Sequence, residues 1–205
     1  MEDEISLTAA ELGFVATVAG GANMLRVLEA LRFPADDGAK ELLVESGAAS
    51  LRLRGLVPSN VQPGEVDPVA LVGTLLGAST AIVRFGAFGP DAASAYFAAV
   101  GPQASAVVRI GEDGILRTTI VRGAIAIRTM VGDTVAAALD AAEVEKVSIE
   151  YSDASGDAVF GVSRADADFE FGETAGLGSS RGAGDAAAVA EAASAFLDRA
   201  LLPNG

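Results

Sequence analysis

Residues 81–85, AIVRF, and residues 147–151, VSIEY, are two short strand-like stretches that stand 66 residues apart. Each follows a helical segment for which an acidic residue, Asp67 or Asp133, is suited to the N-cap position. The repeated order of helix and strand predicts two related halves that share one sheet about a pseudo-twofold axis. Because helix–strand units rich in Ala and Val resemble one another in any protein, chance similarity is the alternative, and the sequence leaves both open.

Strand signals continue on either side of these blocks. The Asp113-Gly114 pair separates the β-rich runs 106–110 and 115–121, which predicts a hairpin. Residues 124–130 fit either a strand or a short helix, and residues 92–100 are equally ambiguous. Further strands are predicted at 159–162 and 168–171, and a closing helix from Asp185 to about Leu202.

The first 57 residues predict helices joined by turns, with Lys40, Arg52 and Arg54 on the third helix. This order is also typical of half of a winged-helix domain. A recognition helix presents several basic or amide side chains to base edges, and here acidic Glu41 and Glu45 lie among the three bases. A winged-helix DNA-binding regulator therefore stands as an alternative interpretation.

The chain of 205 residues predicts a single domain, residues 1–205, with halves at 1–131 and 132–205. A glycine-rich run at 176–184 predicts a flexible linker before the last helix. The run does not fit a phosphate-binding loop, because Gly182 is followed by Ala183 and no Lys is near.

Composition excludes several kinds of chemistry. The chain has no Cys, no His and no Trp, so it has no disulfide, no Cys or His metal ligand and no imidazole base. Its net charge of −14 argues against binding to nucleic acid or to an anionic membrane. The acidic start, Met1 to Glu4, is unlike a signal peptide, so we expect a cytoplasmic protein. We expect no enzymatic activity, no cofactor, and no catalytic, cofactor-binding or metal-binding residues.

Two charged groups remain open to interpretation. Asp166, Asp168 and Glu170 recur with the period of one strand face, which fits a solvated face or, alternatively, the carboxylate or metal site of an enzyme. Four arginines concentrate between residues 104 and 130, where they either orient a partner or pair with acids of the same chain. These four are Arg109, Arg117, Arg122 and Arg128.

The order of elements and several short apolar patterns resemble the EspG family, the cytosolic chaperones of type VII (ESX) secretion in actinobacteria. The resemblance is carried by LTAAEL at 7–12, LRGL at 53–56, the helix after Val66-Asp67, the strand near Val83, YFAAVG at 96–101, AVVR at 106–109, the hairpin at 113–114 and TTIV at 118–121.

This resemblance implies an α+β fold with a central, mainly antiparallel sheet flanked by helices, in two halves related by a pseudo-twofold axis. It also implies a strand at 95–100, no enzymatic activity, and a helical PE–PPE-type secretion substrate as partner. An aromatic cluster around Gly86 and Gly89 is a candidate partner-binding stretch, although core packing is the plainer role for its members. The cluster consists of Phe85, Phe88, Tyr96 and Phe97. The sequence gives no indication of the oligomeric state.

Overall fold

The computed structural model describes residues 4–56, 67–90, 93–111, 113–166, 168–175 and 178–201. Within them the chain forms six helices and nine strands. In chain order these are β1 (Ile5–Leu7), α1 (Ala9–Ala19), α2 (Met24–Ala30), α3 (Asp37–Leu53), α4 (Pro68–Gly77), β2 (Ala81–Phe88), β3 (Ala93–Val100), β4 (Ala104–Ile110), β5 (Leu116–Arg122), α5 (Ala124–Asp140), β6 (Lys146–Asp153), β7 (Gly156–Ala165), β8 (Asp168–Ala175), β9 (Gly178–Gly184) and α6 (Ala186–Leu201).

All nine strands belong to one sheet, in the order β1-β5-β4-β3-β2-β6-β7-β8-β9. Every neighbouring pair is antiparallel. The predicted α+β class with a central antiparallel sheet is confirmed. The stretches 81–85 and 147–151 are neighbours at the middle of this sheet, in β2 and β6.

The pairing of β2 with β6 is symmetric. Arg84 pairs with Glu150, and these two positions correspond to each other under the 66-residue offset. On either side Ala81 pairs with Asp153 and Ala87 with Val147, so each pairing recurs with the two strands exchanged. The register therefore places a local twofold axis at Arg84 and Glu150, whose Nη1 and Oε2 atoms lie 3.5 Å apart.

The unit on each side of this axis is four antiparallel strands followed by a helix, β2–β5 with α5 and β6–β9 with α6. The predicted N-cap at Asp133 is wrong, because α5 begins at Ala124 and Asp133 lies inside it. Buried Ile127, Val131 and Val135 recur every four residues and continue the helix through that point. Residues 124–130, which fitted either a strand or a helix in sequence, are therefore helical. The expected boundary between the two halves, at 131/132, falls within α5.

Alternate residues of the strands build two cores. Val83 and Phe85 contribute to the core under α5 and α6, which we call the α5/α6 face. Ile82 and Phe97 contribute to the opposite core, under α1, α2 and α4, which we call the α1–α4 face. Among the described residues, the core on the α1–α4 face includes no side chain from β6–β9.

The flexible linker predicted at 176–184 is not what the structure shows over residues 178–184. Residues 178–184 form β9, which pairs with β8 along its whole length, and residues 176 and 177 lie outside the described residues. Close packing explains the glycine here, because a Cβ on Gly182 would lie 2.7 Å from the ring of Phe171. Residues 93–100, also ambiguous in sequence, form strand β3.

Candidate interaction groove

The four aromatic residues predicted to contact a partner lie near the centre of the sheet, on both faces. Phe85 and Tyr96 are buried on the α5/α6 face, where their rings stack with centroids 5.0 Å apart. Phe97 is buried on the α1–α4 face. Phe88 is 45% exposed, and its ring folds back over Gly86, where a Cβ would lie 2.5 Å from it. Three of the four therefore belong to the core, and only Phe88 has a side chain that solvent or a partner can reach.

A small depression of about 180 Å³ surrounds Phe88 on the α1–α4 face. Ile110, itself 48% exposed, adds a second apolar side chain to its lining. Charged side chains, including those of Glu29, Arg32 and Arg84, line the same depression. A polar rim around exposed apolar groups is typical of a protein-contact surface.

The structure divides the arginine group. Arg117 binds Asp113 with 2.7 Å between Nη2 and Oδ2, and Arg128 binds Asp198 and the Ser194 hydroxyl. Those two arginines therefore pair within the chain. The other two members, which are exposed and make no ion pair among the described residues, are Arg109 and Arg122.

The acidic candidates do not converge on an ion site. Asp168 and Glu170 are exposed on the side of β8 opposite Phe169 and the α5/α6 core, and Asp166 lies in the preceding turn. No cluster of three metal-ligating side chains occurs among the residues that the structure describes. The solvated-face interpretation fits this placement.

Three N-terminal helices build a larger surface that the sequence analysis did not single out. Helices α3 and α4 both pack on α1. Gly47 lets α3 approach closely, because a Cβ there would lie 2.0 Å from the carbonyl oxygen of Ala10. Gly73 and Gly77 do the same for α4, where added Cβ atoms would lie 3.0 Å from Val15 and 3.2 Å from Ala19. The two helices therefore form walls above α1.

An ion pair with a buried carboxylate connects α3 to α1. Glu11 of α1 is fully buried and accepts hydrogen bonds from the Ser50 hydroxyl and from Arg54, each at 2.6 Å. Arg54 also donates to the carbonyl of Ser6. Because Arg54 is engaged in this way, the third helix presents fewer free bases than the winged-helix interpretation requires.

The space between the walls is an apolar groove of about 570 Å³. Thr74 contributes the one polar side chain to the lining, and its hydroxyl already donates to the carbonyl of Ala70. Val18, on the floor, is 70% exposed. The full lining is Phe14, Val15, Val18, Ala19, Leu51, Leu56, Val69, Ala70, Gly73, Thr74, Gly77 and Ala78. Apart from that hydroxyl, the lining holds no acid, base or nucleophile, and it suits the burial of apolar atoms.

A signal for this groove exists in the sequence, although it is weak. Helix α4 is apolar around most of its circumference and carries Gly73 and Gly77 one turn apart. Small residues at that spacing indicate a close helix contact on one side. They do not indicate which other apolar side chains remain exposed beside it.

No family model and no curated protein matches the chain. The structure of the Mycobacterium tuberculosis type VII secretion system chaperone EspG5 in complex with the PE25–PPE41 dimer does match, with a TM-score of 0.55 and 13% sequence identity. The match covers 98% of this chain and 96% of that chain. The fold is EspG-like. The resemblance predicted from sequence is thereby confirmed at the level of fold. Separately, no helix in the described ranges is long and apolar enough to span a membrane.

Proposed function

We propose that this chain is a non-enzymatic binding protein, a cytoplasmic chaperone of the EspG kind that holds a helical, PE–PPE-type substrate of type VII secretion. The observation that carries the proposal is the apolar groove between α3 and α4. An EspG-like fold whose solved counterpart is in complex with a PE25–PPE41 dimer supports the choice of partner.

The shape of the groove favours a helix as its occupant. The lining follows four positions of α1 and one face of α4 over two turns, from Val69 to Gly77, so the apolar surface extends along a helix. An amphipathic helix binds such a groove with one apolar face, and its polar face remains in water. Covering that face protects a substrate helix from self-association before export.

The chemistry of the chain supports binding without turnover. The chain has no Cys and no His, and the groove lining offers only the hydroxyl of Thr74. Apolar burial and shape complementarity are the interactions that remain. We also propose that Phe88 contributes a contact at the edge of the bound partner. Phe85, Tyr96 and Phe97, in the core, hold in place the two strands β2 and β3 at this point of the sheet.

Co-expression with PE–PPE pairs, taken one pair at a time and including PE25–PPE41, tests this proposal. We expect the chain to co-elute with at least one pair at 1:1 with the dimer. Val18→Asp and Ala70→Glu place a charge in the groove at exposed positions, and each should weaken binding at least tenfold. Leu25→Asp, at a position 60% exposed on α2 and outside the groove, is the matched control. Binding of no pair, or equal binding by all variants, would reject the proposal.

A further inference from the structure

Helix α3 has two faces of small and apolar residues. The inner face contains Gly47, Ala48 and Leu51, which are buried against the rest of the molecule. The outer stripe, residues 42, 46, 49 and 53, points away from the core and is exposed along its length. Leu42 and Leu53, at its two ends, are 68% and 90% exposed. Two large apolar side chains of α3 therefore extend into solvent on the same side of the helix.

The spacing of the outer stripe is that of a coiled-coil seam. Its members follow one another by four, three and four residues, which places them within an arc of about 60° on the helix. Large residues, Leu42 and Leu53, occupy the ends, and small residues, Ser46 and Ala49, occupy the middle. A second copy in antiparallel orientation would match Leu42 with Leu53 and Ser46 with Ala49, so the stripe is complementary to itself.

Charge on one flank favours the same orientation. Glu45 and Arg52 lie two helical turns apart along the same edge of the stripe. Both are exposed, and neither makes an ion pair among the described residues. A twofold axis between antiparallel helices places each flank against the identical flank of the other copy. Glu45 of each copy then faces Arg52 of the other, twice. A parallel pair would instead place these charges against the flank of Leu43 and Ser50, which carries no charge.

We propose that the outer stripe of α3 is a self-association surface that pairs antiparallel with α3 of a second copy of this chain. The stripe extends over roughly 16 Å of helix, so the interface is small and belongs to the weak, transient class. This surface is separate from the groove, because Leu51, the one α3 residue in the groove lining, lies on the buried inner face. Self-association thus leaves the proposed partner site open.

Sedimentation velocity of the full chain tests the proposal, from about 1 μM to about 1 mM at near-physiological salt. The weight-average mass should rise with concentration toward twice the monomer mass. Leu53→Glu should abolish the rise, and Leu25→Glu, at an exposed position off the stripe, should leave it unchanged. Both positions are exposed, so neither variant threatens the fold. A wild-type chain that stays monomeric over the whole range overturns the proposal.

A charge exchange tests the flank. Glu45→Arg alone sets like charges against Arg52, and Arg52→Glu alone sets like charges against Glu45, so each should weaken association severalfold. The double variant Glu45→Arg/Arg52→Glu restores opposite charges and should return association to the wild-type level. Failure of the double variant to recover would contradict the antiparallel arrangement.

Disulfide trapping tests the register, because the chain has no Cys of its own. Ser46→Cys and Ala49→Cys variants are mixed and oxidised, and the products are separated by mass. The antiparallel seam predicts that the mixed 46–49 disulfide exceeds either homodimer. A dominant 46–46 disulfide would indicate a parallel pair and would reject the proposal as stated.

Discussion

Glu11 lies fully buried beneath α3, yet it remains charged. Burial by itself raises the pKa of this carboxyl, but hydrogen bonds from the Ser50 hydroxyl, the Thr8 backbone and Arg54 outweigh that effect and lower the pKa. Removal of the charge would leave Arg54 without its partner. Glu11→Gln should therefore reduce the free energy of unfolding by about 2 kcal/mol, measured in urea. Glu45→Gln, at an exposed position, should change it by less than about 0.5 kcal/mol. Equal effects of the two variants would contradict this account of Glu11.

The lowered pKa of Glu11 also predicts a pH dependence. The unfolded chain releases the proton near the ordinary pKa of 4.5, and the folded chain releases it lower. Stability from this group is therefore present above pH 4.5 and is lost as the pH falls through the folded pKa. Stability measured between pH 5 and pH 3 should fall less steeply in Glu11→Gln than in the wild-type chain. Parallel slopes would show that the charge of Glu11 is not held by these donors.

The two tyrosines allow a direct optical test of the core. Burial raises the pKa of Tyr96 to about 12, and burial together with neighbouring Asp153 raises the pKa of Tyr151 to about 12. The chain has no other tyrosine and no tryptophan. The tyrosinate absorbance at alkaline pH should therefore stay low through pH 10 while the protein is folded. Because the folded pKa exceeds the unfolded value of 10.0, stability from these groups is complete below pH 10 and is lost as the pH rises toward 12. A midpoint near pH 10 in the folded protein would contradict the burial.

At the scale of elements, two mid-helix glycines have opposite roles. Gly47 of α3 faces the backbone of Ala10 at a distance that no Cβ permits, whereas Gly132 of α5 has open space where a Cβ would lie. Gly47→Ala should therefore destabilise the chain by more than about 2 kcal/mol, because α3 must move away from α1. Gly132→Ala should stabilise it by about 0.5–1 kcal/mol through helix propensity. Thermal unfolding of both variants measures the difference, and a stabilising Gly47→Ala would disprove the close contact.

Local signals in the sequence predicted some elements well. The Asp113-Gly114 turn specifies its own hairpin, and the side chain of Asp67 caps α4 with 2.8 Å between Oδ1 and the amide of Ala70. The predictions at Asp133 and at 176–184 were wrong because tertiary packing decides both. Buried apolar residues continue α5 through Asp133, and the ring of Phe171 packs closely over Gly182 of β9.

The candidate groove could not be predicted in the same way. Its lining comes from α1, from α4 and from the C-terminal end of α3. Apolar periodicity predicts that all three helices pack in the core, but it does not show where a gap opens between them. The placement of the aromatic cluster also depends on the folded sheet. Strand alternation sends Phe85 and Tyr96 to one face and Phe97 to the other, so a cluster in sequence becomes two separate parts of the core.

At the scale of the whole molecule, the Arg84–Glu150 pair lies at the twofold axis of the sheet. Because the two positions are equivalent about that axis, exchange of their side chains preserves the pair. Arg84→Glu alone sets two acids opposite each other and should cost about 0.5–1 kcal/mol, since both side chains are part-exposed. Arg84→Glu/Glu150→Arg should recover the wild-type stability in urea. A double variant no more stable than the single one would contradict the local symmetry.

Hydrogen exchange of the chain with and without a bound PE–PPE-type dimer tests the central claim most directly. The proposed function predicts slower exchange on binding in peptides from residues 14–19 and 69–78, which form the floor and one wall of the groove. Peptides from β8, far from the groove in the sheet order, should exchange at the same rate with and without the dimer. Protection confined to β8, or a groove that exchanges equally with and without the dimer, would contradict the account.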